Sequence, residues 1–398
     1  MISCNLVPKE HTHPLQDRLP DDDYYLDIID TDNTSKIPDS TIKAALSMGN
    51  KSYHKLEFGD SYYSVSENIY LNPNGEIFML NKLEYSIDRI SKDGELIEKI
   101  GRAGRGPGEF ERMISFTVSQ DFQSIFIIDN TQIEIYEYNS KENNYDYIDT
   151  LNDLFIEAYD ICYLEGNLYL SGFNFNRDYY EELREMESRS KRIEGLKKVV
   201  STGPIIAIDL EKKEVVNDFG YKYKSVFGFG VYDGILSQVE LACNGKTKSI
   251  IAKMIYAPLI FSYSKEGEEK WAVKIKGLRN RESLEMINPI SGVSWANSGN
   301  EPGESFDRTM PFREVYDSEY LILQFEEVFR IDRSKINSNK PSKQFVFKTS
   351  LLNTETGGLI FLGADQEYFL ASANGRSLFS INNDSLHQHE YYLSDHEK

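Results

Sequence analysis

The chain has 398 residues, with 44 Lys and Arg against 64 Asp and Glu, a formal charge of −20. That balance gives phosphate contacts little electrostatic support and argues against a nucleic-acid partner. An apolar fraction of 40% with 13% aromatics is too rich for a disordered chain. No uncharged apolar run reaches the roughly 18 residues that a membrane helix requires. The 26 Tyr and 22 Phe beside 12 Pro point to pleated, half-buried surfaces, so the expectation is an all-β protein.

The chain opens Met1-Ile-Ser-Cys-Asn5. An aliphatic residue, a small residue and then Cys4 match the end of a bacterial lipoprotein signal, although the charged and apolar regions of such a signal are not among these residues. Cys4 is the candidate lipid anchor. Residues 5–50 are polar and carry Pro8, Pro14, Pro20, Pro38 and the acidic run Asp21-Asp22-Asp23, so 1–50 reads as a poorly ordered tether before a folded body at 51–398. An ordinary frayed terminus is the bland alternative.

From there a repeat sets the architecture. A short strand with an early aromatic recurs as Glu76–Leu80, Ser124–Ile128, Asn167–Leu170, Glu319–Leu323 and Glu367–Ala371, at spacings of 43 to 48 residues where neighbouring copies are compared. A polar turn and a second alternating segment follow, as in Gln132-Ile-Glu-Ile-Tyr-Glu-Tyr138, which is a hairpin signature. A further strand, Glu95–Ile100, comes after the tight turn Lys92-Asp-Gly94. Units of this length with three or four antiparallel strands suit propeller blades, each of which must stack on neighbours to bury both faces. With two non-β insertions set aside, the spacing fits six, with five and seven as the alternatives. The fourth blade is the weakest, with Lys248–Tyr256 and Pro258–Ser264 as its central strands.

The first insertion, 176–200, spaces Tyr180, Leu183, Met186, Ile193 and Leu196 as one face of an amphipathic helix. The second, 278–312, is rich in Asn, Gly and Pro and reads as a long loop, which could line a binding mouth. The three cysteines, Cys4, Cys162 and Cys243, are odd in number and far apart. They supply neither a disulfide framework nor a zinc-ligand spacing, and Cys162 and Cys243 read as small buried hydrophobes in strands.

Little in the chain carries chemistry. No histidine lies between residues 55 and 386, and there is no Gly-x-Ser-x-Gly elbow, which disfavours serine-hydrolase mechanisms. Gly245-Lys-Thr247 lacks the first glycine of a phosphate loop, and Asp30-Thr-Asp32 lacks the closing Glu of a calcium loop. No catalytic or metal-binding residue can be assigned. One segment stands apart: Ile100-Gly-Arg-Ala-Gly-Arg-Gly-Pro-Gly-Glu-Phe110. Arg102 and Arg105 make an anion site conceivable. Alternatively Gly106, Pro107 and Gly108 make the crossing between blades, with Glu109 capping exposed amides and Phe110 wedged between sheets.

Gly101 and then Gly104-Arg-Gly-Pro-Gly-Glu-Phe110, with the preceding Asp93-Gly94 turn and the following Ile125–Asn130 strand, resemble the TolB-like six-bladed β-propeller lipoproteins predicted in Bacteroidetes. The resemblance is firm over about residues 55–140. It implies a periplasmic or cell-surface lipoprotein, usually without an assigned activity, and it supplies no catalytic residues. The expectation is therefore a six-bladed propeller with one inserted helix and a long loop insertion, acting as a non-catalytic binding or scaffold protein of the cell envelope. A protein, peptide or glycan would be its ligand, no cofactor is needed, and the membrane is met through the lipid anchor only. The competing expectation is a carboxylate- or metal-dependent hydrolase or lactonase, with a divalent cation such as calcium at the propeller channel.

Overall fold

A computed structural model describes residues 25–27, 47–55, 68–152, 154, 156–174, 203–221, 237–255, 259–276, 287–288, 292–293, 305–309, 312–314, 318–329, 345–365, 368–373, 377–382 and 385–392. The protein is an all-β, six-bladed propeller. The first three blades each run through four consecutive antiparallel strands. These are Ile69–Leu71, Ile77–Asn81, Ser86–Ile90 and Leu96–Ile100 in the first. The second holds Met113–Val118, Ser124–Asp129, Gln132–Asn139 and Asn144–Leu151. The third holds Ile156–Leu164, Asn167–Asn174, Ile205–Asp209 and Glu214–Phe219. The fourth comprises Val239–Asn244, Ser249–Met254, Leu259–Tyr263 and Glu269–Lys276.

The first strand of each blade is innermost, and these strands pack against one another around the axis. Middle strands such as Ile77–Asn81 and Leu259–Tyr263 are buried throughout, because each sheet is covered on both faces. Side-chain alternation sorts the faces. Val239, Leu241 and Cys243 join the third blade's Cys162, Leu164, Tyr169 and Ala207, whereas Ala242 joins the fifth blade's Leu321 and Leu323.

The fifth blade is built from Tyr320–Phe329, Phe345–Asn353 and Leu359–Asp365. Its inner edge is split between Ser305–Thr309 and Arg313–Glu314, both antiparallel to Tyr320–Phe329. These residues fall partly inside the expected 278–312 loop, which is therefore not loop throughout: Ile287–Asn288 also pairs with Gly292–Val293. The Gly- and Pro-rich surroundings hid a strand whose partner lies further along the chain. The expected helix at 176–200 lies outside the described residues.

The sixth blade comprises Tyr368–Ala373, Ser377–Asn382 and Ser385–Tyr392, and its outermost strand is Ser47–Lys55, antiparallel to Ser385–Tyr392. An early strand thus closes the ring and crosses the expected boundary at 50/51. Tyr25–Asp27 runs parallel to Lys274–Lys276 on the fourth blade's outer edge. The rest of the expected tether, Cys4 included, lies outside the described residues. Sharing one strand with the chain start also shifts the repeat: Tyr368 begins an inner strand, while Tyr320, its expected counterpart, begins a second strand.

Cys162 and Cys243 are not free thiols. They form a disulfide between the inner strands of the third and fourth blades, with Cα atoms 5.5 Å apart and 81 residues between them in sequence. Spacing along the chain gives no sign of this pair, because it is the ring of blades that brings the two strands together.

Candidate functional site at the propeller axis

Inner strands are edge strands, so their inward N–H and C=O groups have no ladder partner and must find one elsewhere. Side chains from neighbouring blades supply it. Leu241 N donates to Asp160 Oδ2 at 2.8 Å, and Val239 N donates to Ser171 Oγ at 3.3 Å. Asn68 Nδ2 donates to Phe116 O at 3.3 Å.

Asp160 is the centre of this arrangement. Its Oδ1 accepts from Asn68 Nδ2 at 2.8 Å and from Ser115 Oγ at 2.9 Å. With the Leu241 amide on Oδ2, one carboxylate ties together the inner strands of the first four blades. A bulge puts it there. Pairing skips from Ala158 opposite Gly172 to Asp160 opposite Ser171, which leaves Tyr159 as the extra residue, edge-on to Phe173. Such a bulge re-aims the residue that follows it. Gly172 is required opposite it, because a Cβ there would lie 2.3 Å from Glu157 O. Burial pushes the Asp160 carboxyl up to about 6, while the hydrogen bonds from Leu241, Ser115, Asn68 and Ile161 pull it down.

A second buried charged group lies between the fourth and fifth blades. Lys253 Nζ lies 2.5 Å from Glu240 Oε2, its cross-strand neighbour, and sits 4.8 Å from the Phe312 ring centroid and 6.0 Å from that of Phe325. Arg313, also buried, follows Phe312 and donates from Nη1 to its carbonyl at 3.2 Å. Burial pulls the Lys253 ammonium below its ordinary value, and Glu240 opposes that shift. One acid, Glu240, and two bases, Lys253 and Arg313, therefore meet in a low-dielectric region.

The glycine-rich segment joins the outer strand of the first blade to the inner strand of the second. Glu109 accepts from Gly106 N at 2.8 Å, from Arg105 N at 3.0 Å and from Arg102 Nε at 2.9 Å, and Arg105 pairs with Glu111. The Gly106 amide above all, then Arg102, holds the Glu109 carboxyl below the usual carboxylate range. Gly101, with φ +82°, lets Phe110 pack where a Cβ would lie 2.0 Å from its ring. Gly108 presents its carbonyl to Tyr136 Oη at 2.9 Å. The amides and guanidiniums of the candidate anion loop thus face carboxylates of the chain itself.

Asp160, Asn68 and Ser115 carry no motif, and sequence reading missed them. Gly245-Lys-Thr247 lies in the turn between the fourth blade's first two strands, with Thr247 N bonded to Asn244 Oδ1. Among the described residues no three His, Cys, Asp or Glu are grouped to hold a metal ion.

These features define a β-propeller with a polar cross-tie at its axis. The chain is similar over residues 25–202 to a family described as a 6-bladed beta-propeller (DUF5128). A candidate exported protein from Bacteroides fragilis shares the fold with a TM-score of 0.52 at 14% identity, over 93% of this chain and 99% of that one. A member of the DUF4221 family from Bacteroides vulgatus has a TM-score of 0.49 at 11% identity, over 88% of this chain and 99% of the other. No curated protein matches the chain.

Proposed function

We propose that this protein is a non-catalytic binding or scaffold propeller of the bacterial cell envelope. The observation that carries the reading is the saturation of Asp160. A general base must keep a lone pair for substrate, yet both oxygens of this buried carboxylate are engaged by protein donors. The Cys162–Cys243 disulfide supports an oxidising compartment, as does the exported character ascribed to the Bacteroides fragilis neighbour. A lipid anchor at Cys4 and membership of the TolB-like lipoprotein group complete the proposal, with a protein, peptide or glycan bound where loops of several blades converge at the mouth.

The test sets immobilised glycan and peptide arrays beside a panel of lactones and aryl glycosides, with and without calcium. Saturable binding without turnover is expected. Turnover in proportion to protein concentration would overturn the reading in favour of a hydrolase. Mass spectrometry of protein from the native membrane fraction should show a diacyl modification at Cys4, and unmodified protein there would remove the anchor from the proposal.

A further inference from the structure

The third and fourth blades are joined at the axis by the Val239 N to Ser171 Oγ hydrogen bond and by two further ties spaced alike on both strands. Asp160 Oδ2 holds Leu241 N, and two residues further on in each strand Cys162 is bonded to Cys243. Residues two apart in a strand share a face, so both ties cross the same seam. The seam is dry: Cys162 is 2% exposed and Cys243 4%, among Leu164, Leu241 and Ala252. Asp160 also links this seam to the first two blades, through Asn68 and Ser115.

We propose that this seam is a redox-sensitive latch, in which the buried disulfide and the Asp160 cross-tie each hold the other closed, so that reduction loosens the axis of the propeller. A dithiol supplies the chemistry. Its thiolate attacks one cysteine sulfur, the other leaves as a thiolate and takes up a proton, and the second thiol of the reductant releases the first cysteine as it closes its own disulfide. Two electrons and two protons pass to Cys162 and Cys243. Attack requires access, and access requires the seam to part. Once the bond is broken, Leu241 N is held to the third blade by Asp160 alone, and strand separation exposes a carboxylate shared by four blades. The regulated feature is the coupling of the axis, independent of what the mouth binds.

Two measurements on the full chain test it. The first follows reduction by dithiothreitol through the mass added by iodoacetamide. Asp160→Asn and Asn68→Ala should each react about tenfold faster than the unaltered protein, since opening of the seam gates the reaction. Equal rates in all three would overturn the proposal. The second follows amide exchange at Leu241 in Cys162→Ala/Cys243→Ala and in chemically reduced wild-type protein. Exchange should rise about tenfold more at Leu241 than at Ile251, whose amide belongs to the blade interior and registers only the overall loss of stability that removing the cross-link brings. Unchanged protection at Leu241 would sink the latch. An equal rise at both amides would also overturn it, because that outcome means global destabilisation with no local opening of the seam.

Discussion

Asn68 Nδ2 and Asp160 Oδ1 lie 2.8 Å apart although 92 residues separate them, and the bond joins the first blade to the third across the propeller axis. A contact between non-adjacent blades can form only at the axis. It makes Asp160 a point at which the ring of blades is checked for closure, and its chemistry is open to test by titration.

With the Asp160 carboxyl raised by burial from 3.8 to about 6, the folded state holds its proton more tightly than the unfolded chain. The stabilisation this brings is complete below the unfolded value and is lost as pH rises through the folded one. The loss amounts to about 3 kcal/mol in all, of which about 2 kcal/mol falls between pH 4 and pH 6. Asp160→Asn removes this titration. It also turns an amide donor toward surrounding donors, at a cost of about 2 kcal/mol. Urea midpoints across this range should fall with rising pH in the wild type relative to the variant, and parallel curves would refute the assignment.

Gly172→Ala should destabilise the protein by about 3 kcal/mol, because the new methyl meets backbone opposite the bulge and cannot be accommodated by a rotamer change. Asp160 is placed by that bulge, so the variant should also blunt the pH dependence just described. Urea titrations at two pH values read both effects together.

Arg89 locks the first blade to the second. Its guanidinium donates to both oxygens of Glu76 at 2.9 and 3.0 Å and to Asn143 O at 3.0 Å, and lies 5.4 Å from the Tyr138 ring centroid. Arg89→Ala leaves Glu76 and the half-buried Glu98 without their cation and should cost about 3–5 kcal/mol. Arg89→Lys should recover only part of it, since an ammonium cannot satisfy the forked geometry. Thermal unfolding of the two variants against wild type checks the order.

Glu109→Ala empties the acceptor position facing the Arg105 and Gly106 amides. Exchange at those two amides should accelerate in the variant. In the wild type, protection should persist below the usual carboxylate range and fade as pH falls through the lowered Glu109 value, the direction expected of a depressed acid. Inorganic phosphate should protect these amides in the variant and not in the wild type; protection of both would mean that Glu109 does not fill the site.

Cys162→Ala/Cys243→Ala opens a covalent loop spanning 81 residues and should lower stability by about 4 kcal/mol through the entropy of the unfolded chain. Peptide mapping without reductant should recover Cys162 and Cys243 in one cross-linked fragment that separates on reduction.

Much of the fold was legible because blades are local objects. Strand, turn and strand follow within a few residues, so the hairpin of Ser124–Asp129 with Gln132–Asn139 and the Gly101–Phe110 crossing could be read from alternation and glycine spacing. The outer ends of the ring were not legible. Ser47–Lys55 pairs with a strand more than three hundred residues later, and Ser305–Thr309 sits among glycines and prolines that disguise it.

A blade-repeating, acidic, all-β chain can be read from residue order, because periodicity and composition are properties of neighbours in the chain. That Cys162 bonds Cys243 and that Asp160 gathers Asn68, Ser115 and Leu241 emerges when the blades assemble. Those partners come from different blades. An ordinary Asp, Asn, Ser or Cys in a strand carries no mark of its role until ring closure brings the inner strands together and removes the water that would otherwise satisfy them.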